Sequence, residues 1–329
     1  MLTVFRERPS IVFEAKKAEF KPHFIIQVLI FIGIYLATQV AMSIPLLIFM
    51  IPSVLKIGLS GSVDMNNPEA LNQFAAGVQD GLILPSLFIT LLTTILVIIY
   101  CKSIEKRSLH SMGFVRKKAF SDYLIGLIIG FVMFSVAVLI AFLCGTLTYK
   151  GFVLGNGLYL LLAYFAGFLI QGMSEEVFLR GYFMISIANK SPLLVAVLTN
   201  SVLFALLHIF NNGIDILSLI NLALFGVFAS IYTLKMNSIW GICAIHSAWN
   251  FVQGNVFGIR VSGMTTKVSL FSFESKDVGT IINGGAFGLE GGLAVTTVLV
   301  LSIIILLSID GRGLKEEAPA RTDISIQGT

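Results

Sequence analysis

Phe24–Leu55 reads FIIQVLIFIGIYLATQVAMSIPLLIFMIPSVL, 32 residues without one Asp, Glu, Lys or Arg. A helix needs about 20 predominantly apolar residues to cross a bilayer, so this stretch is read as a membrane helix. Seven more charge-free runs follow: Gly81–Cys101, Tyr123–Tyr149, Gly151–Ser174, Ser191–Ile214, Ile216–Leu234, Met236–Ile259 and Gly291–Ile309. Together the runs occupy 190 of the 329 residues. Across the chain, 56% of residues are hydrophobic and 12% charged, against about 25% charged in soluble domains. The expected class is all-α: a polytopic membrane protein of about eight transmembrane helices. A soluble enzyme and a nucleic-acid binder are excluded. A β-barrel is excluded too, because its strands alternate over about ten residues.

Loop charge orients the chain. The segments 1–23, 102–122, 175–190, Lys235 and 310–329 carry 17 Lys and Arg, whereas 56–80, Lys150, Asp215 and 260–290 carry 5. Basic residues collect on the cytoplasmic side, so both termini are expected there. The run from Phe24 exceeds the 7–15 residues of a signal-peptide core and should remain as an anchor. The expected organisation is a cytoplasmic segment 1–23, a membrane domain 24–309 and a polar cytoplasmic tail 310–329. The basic loop 102–122 is expected on the inner headgroup surface. In 260–290, the patches Val268–Phe273 and Val278–Ile282 suggest a hairpin or re-entrant cap. The glycines of 284–288 suggest close helix packing. Cys101, Cys144 and Cys243 have no pairing or metal-ligand spacing and read as packing residues.

An ionisable side chain within an apolar run is costly and needs a reason. His23 lies at the start of the first run and His110 in the basic loop, and both read as interfacial. The first informative cluster is Glu175, Glu176 and Arg180. Glu176 and Arg180 are i,i+4 and can pair on a helix, which leaves Glu175 without a partner at i+4. Asn200, Phe204 and His208 share one helix face. His246 and Asn250 are again i,i+4. Taken singly, each cluster also fits a plain role: a helix end, a packed histidine, or interhelical hydrogen bonding. Together they supply the parts of peptide hydrolysis. A carboxylate can activate water, an imidazole can hold that water, and an imidazole with an amide can stabilise an oxyanion.

The motifs EExxxR (Glu175, Glu176, Arg180), FxxxH (Phe204, His208) and HxxxN (His246, Asn250) resemble those of the CAAX-protease and bacteriocin-processing (CPBP, or Abi) intramembrane proteases. Arg107-Ser108-Leu109 and Met112-Gly113-Phe114 extend the resemblance weakly. It implies a CAAX-prenyl-protease-like helical core at about 120–259 in an integral protein of a bacterial cell membrane. It also implies a membrane-associated peptide or protein as substrate. Glu175 would be the base, His208 would help hold the water, and His246 and Asn250 would form the oxyanion site. Glu176 and Arg180 would form a structural salt bridge, with Asn200 and Phe204 behind the site. No cofactor is favoured. If the chemistry were metal-dependent, Glu175, His208 and His246 would be the Zn²⁺ ligands. A non-catalytic scaffold or immunity-type protein of the same fold is the alternative, and a proton-coupled transporter a weaker one, since no internal repeat is visible. Oligomeric state is left open. One tension remains: a simple hairpin puts Glu175 at the inner end of its span and His208 roughly 24 Å along the next helix from Pro192, at 1.5 Å per residue.

Overall fold

The computed structural model describes residues 3–5, 7–60 and 67–311. Each of the eight charge-free runs contains a helix. The helices are α1 (Ser10–Ala15), α2 (Phe24–Ser60), α3 (Pro68–Ile89) and α4 (Leu91–Ser103), then α5 (Ala119–Leu143). Strand β1 (Leu147–Phe152) precedes α6 (Leu158–Glu176), which continues through a π-helical segment, Val177–Met184, into α7 (Ile185–Ala188). Then come α8 (Leu193–Leu206), α9 (Ile216–Met236) and α10 (Trp240–Phe251), the last extended by a π turn at Val252–Val256. Strand β2 (Phe271–Ser275), α11 (Thr280–Asn283) and α12 (Leu293–Ser308) complete the described chain. Among the described residues, five helical stretches are long and apolar enough to cross a membrane: 24–52, 68–103, 119–143, 158–188 and 216–236. Leu193–Leu206 and Leu293–Ser308 are apolar but shorter. The expected polar tail 310–329 falls almost wholly outside the described residues.

α10 is the central helix, buried from Gly241 to Asn250. Small residues let its neighbours approach. A Cβ on Gly126 of α5 would meet the Gly241 carbonyl oxygen at 2.3 Å, and one on Gly130 would meet that of Ile245 at 2.4 Å. On the other side, a Cβ on Gly172 of α6 would lie 2.5 Å from Ser247 Oγ. Close backbone approach replaces the hydrophobic drive that is missing between helices in lipid. The outer faces of α2 and α5 expose Leu, Ile, Val and Phe, as lipid-facing surfaces should.

Several expectations are corrected. Segment 175–190 is no loop: the helix runs unbroken from Leu158 to Ala188, so Glu175, Glu176 and Arg180 lie inside it. The run Ser191–Ile214 is helical only to Leu206, because His208, Asn211, Asn212 and Gly213 turn the chain. Segment 260–290 forms no hairpin of its own. β2 pairs antiparallel with β1, Leu147 opposite Ser275 and Phe152 opposite Phe271, which adds a two-stranded sheet to the expected all-α class. The glycines at 284–288 build turns: Gly288 has φ +102°, and a Cβ there would meet the Arg260 carbonyl oxygen at 2.2 Å.

The basic loop keeps Lys102, Lys106 and Arg116–Lys118 exposed but sends part of itself into the core. Glu105, Arg107, Ser111 and Met112 are buried. Arg107 Nε lies 2.7 Å from Glu105 Oε2, and its guanidinium also reaches the carbonyls of Gly181 and Tyr182 in the π segment. Burial pushes the Glu105 carboxyl up, against Arg107, Ser186 and Gln27, which pull it down. The amino-terminal segment docks at the same end. Arg8 donates to the Ala188 and Ser191 carbonyls. Asn237, the left-handed C-cap of α9, accepts from Ile11 N at 3.0 Å and donates to Ser10 Oγ at 2.6 Å. His110 lies 3.2 Å from Ser10 Oγ.

Candidate active site

Glu175 is the eighteenth residue of the 31-residue helical stretch 158–188. From there the chain runs 13 residues on to Ala188, turns at 189–192, and returns along α8 to His208. Outward and return paths are of similar length. Glu175 and His208 therefore line one cavity of about 480 Å³, and the expected difference in depth disappears. The cause is continuation of the helix past Glu175 through a π segment, a feature that often marks functional positions.

Glu176 and Arg180 are fully buried and paired, with Nη1 2.9 Å from Oε1. Arg180 also lies over the Phe204 ring, 4.8 Å from its centroid, a cation–π contact. Its other guanidinium nitrogen is 3.5 Å from the Gly226 carbonyl oxygen. Asn200 stands behind this group rather than in the cavity. It donates to Ser230 Oγ at 3.0 Å, and Ser230 donates to the same Gly226 carbonyl.

His246 is placed between the two glutamates. Its Nδ1 is 2.8 Å from Glu176 Oε1, and its Nε2 is 3.8 Å from Glu175 Oε2. The Nδ1 contact makes that nitrogen the donor to the carboxylate, which orients the ring and aims Nε2 into the cavity. Phe225 packs edge-on to the imidazole at 5.0 Å. Glu175 is partly exposed to the cavity, its side chain 31% accessible. His208 Nδ1 is 2.8 Å from the Phe204 carbonyl oxygen. That bond leaves Nε2 as an acceptor.

Sequence reasoning missed Gln171. Its amide donates to Glu175 Oε1, and its own oxygen accepts from Asn250 Nδ2 at 2.9 Å. One side chain thus orients both the carboxylate and the amide. The signal was present, since Gln171 sits four residues before Glu175, on the same helix face. Tyr35 and Met42 of α2, with Ser262, Met264 and Glu290 from the segment after α10, also line the cavity. No local spacing ties these distant residues to the motifs.

Among the described residues, no group of three or more His, Cys, Asp or Glu is placed to hold a metal ion. The Nδ1 bond to Glu176 leaves His246 Nε2 facing Glu175.

Residues 156–252 match a family model described as type II CAAX prenyl endopeptidase Rce1-like. No curated protein and no solved structure matches the chain. The matched segment covers under a third of the chain, yet it runs from α6 through α10 and holds every motif residue from Glu175 to Asn250. Over residues 156–252 this helical membrane protein is therefore similar to the Rce1-like family of CAAX prenyl endopeptidases.

Proposed function

We propose that the protein is an intramembrane endopeptidase that hydrolyses a peptide bond in a membrane-associated peptide or protein. The observation that carries this reading is the facing pair Glu175 and His246, 3.8 Å apart, each fixed by a separate partner, on the wall of a cavity between apolar helices. Glu175 Oε2 takes a proton from water as the oxygen attacks the carbonyl carbon. His208 Nε2 accepts a hydrogen bond from the other O–H, which stays on the attacking oxygen, and sets the direction of attack. Charge then develops on the carbonyl oxygen. The free N–H of Asn250 and the Nε2 side of His246, when protonated, meet it there. Collapse of the tetrahedral intermediate breaks the C–N bond, and Glu175 returns its proton to the leaving amine. Glu176 carries the charge that holds His246, and Arg180 balances Glu176.

The reaction is proposed to run without a metal, because among the described residues Glu175, His208 and His246 are not placed as a metal-holding group. Purified protein is expected to keep activity when zinc is removed by a chelator. Loss on chelation with recovery on adding zinc would reverse this reading. Both termini are proposed to face the cytoplasm of a bacterial cell. In support, the docked segment 8–15, the loop 104–118 and the turn 189–191 lie at one end of the molecule.

The deciding experiment compares peptides released from membranes of cells carrying the wild-type protein, Glu175→Gln or His208→Ala at matched levels. Cleavage products present in the wild type alone are expected, and they name the substrate. If phenotype and peptide profile survive both substitutions, the protein acts as a scaffold.

A further inference from the structure

The cavity that holds Glu175 carries a second carboxylate. Glu290, in the short turn before α12, is 8% exposed and lines the same wall. Its Oε1 accepts from Trp249 Nε1 at 3.1 Å. Its Oε2 accepts from the backbone N and the Oγ of Ser262, both at 2.8 Å. The Glu290 carbonyl accepts from Asn221 Nδ2 at 2.7 Å. The carboxylate is therefore held by three bonds and the backbone by a fourth, and every donor is neutral. Among the described residues, no Lys or Arg lines the cavity. Acidic side chains this deeply buried almost always have a charged partner. Arg180 is already matched by Glu176, so it does not serve Glu290.

Position adds to the argument. Trp249 is one helical turn beyond His246 on α10, and Phe225 touches both rings, at 5.0 Å and 5.8 Å. Neighbours at i,i+3 are about 5 Å apart at Cβ, the indole extends about as far again, and the bond to Glu290 adds 3.1 Å; these legs turn rather than run end to end, so the separation from the reacting groups is on the order of 10 Å. Extended peptide rises about 3.3 Å per residue, so that distance is about three residues of substrate.

We propose that Glu290 is a specificity-determining residue that receives a Lys or Arg side chain of the substrate about three residues from the scissile bond. The proposal rests on the endopeptidase reading. A basic side chain brings the missing positive charge to a preformed, partly desolvated carboxylate, and its aliphatic stem suits the apolar walls formed by Leu222, Val295 and Leu299. The net negative cavity also draws cationic segments towards it.

The test uses the full-length protein in liposomes and a library of apolar peptides. Lys, Arg, norleucine or Glu is placed at each position two to four residues on either side of every bond. The wild type is expected to cleave Lys or Arg peptides at least about tenfold faster than the norleucine peptides at one such position, the scale of a desolvated charge contact. Glu290→Gln should collapse that ratio towards one, and Glu290→Asp should keep its direction. A wild-type ratio near one at all positions overturns the proposal without need of any variant. A ratio unchanged in Glu290→Gln, with all peptides slowed alike, also overturns it and makes Glu290 a structural clasp between Trp249 and Ser262. A wild type that cleaves no peptide faster than Glu175→Gln removes the endopeptidase reading instead, and the subsite with it.

Discussion

Glu176 accepts from Arg180 and His246 on the same oxygen, Oε1. The buried residue therefore joins the salt bridge to the candidate catalytic imidazole. Removing one member of a buried pair leaves the other charged and unsolvated, at a cost of about 3–5 kcal/mol. Arg180→Ala and Glu176→Ala are expected to lower thermal stability in detergent by that order. Glu176→Gln with Arg180→Met should cost less than the two single changes added together, because no charge is stranded. An additive double mutant would break the argument. Gln171 makes the complementary prediction. Its loss frees both Glu175 and Asn250 to turn, and small misplacements of reacting groups cost up to about a hundredfold in rate. Gln171→Ala should therefore slow cleavage about tenfold to a hundredfold with little change in melting temperature. Glu176, Arg180 and their pairing were legible from i,i+4 spacing. The bond from His246 to Glu176 was not, because it joins residues 70 positions apart.

At the scale of elements, α10 is clamped between α5 and α6 by glycines. Overpacking a close helix contact costs about 1–3 kcal/mol. Gly126→Ala and Gly130→Ala are expected to destabilise by that amount, since each Cβ would fall within 2.4 Å of a carbonyl oxygen. Gly33→Ala in α2 is the control, with nothing within 4 Å of the added Cβ. It should be neutral or slightly stabilising, because alanine favours the helix. Melting curves of the three variants decide the point, and equal effects would remove the clamp. Element existence was readable here from the charge-free runs. Element length was not. α6 continues beyond its charge-free run because Glu176 and Arg180 neutralise each other inside the helix, whereas α8 stops short within its run at a turn of polar residues.

At the scale of the molecule, the amino-terminal helix, the loop 104–118 and the turn at 189–191 share one end, and the β1–β2 sheet requires 147–152 and 271–275 to share a side. Single cysteines introduced at Lys17, Lys118, Lys150 and Lys276, with Cys101, Cys144 and Cys243 replaced, should label in two groups. Those at 17 and 118 should react from the cytoplasmic side, and those at 150 and 276 from the opposite side. A mixed pattern would sink the proposed orientation. The amino-acid sequence by itself determined the solvent and the existence of the apolar helices: apolar runs of membrane length and i,i+4 pairs are local, and a local pattern needs no fold to be read. It also held the motifs from Glu175 to Asn250 in order. Tertiary structure alone decided that they meet. Depth along a helix depends on where the helix bends and ends, and a cavity wall is drawn from segments far apart in the chain. Tyr35 of α2 and Glu290 before α12 come to one site because close packing about α10, rather than any spacing along the chain, sets which side chains face each other.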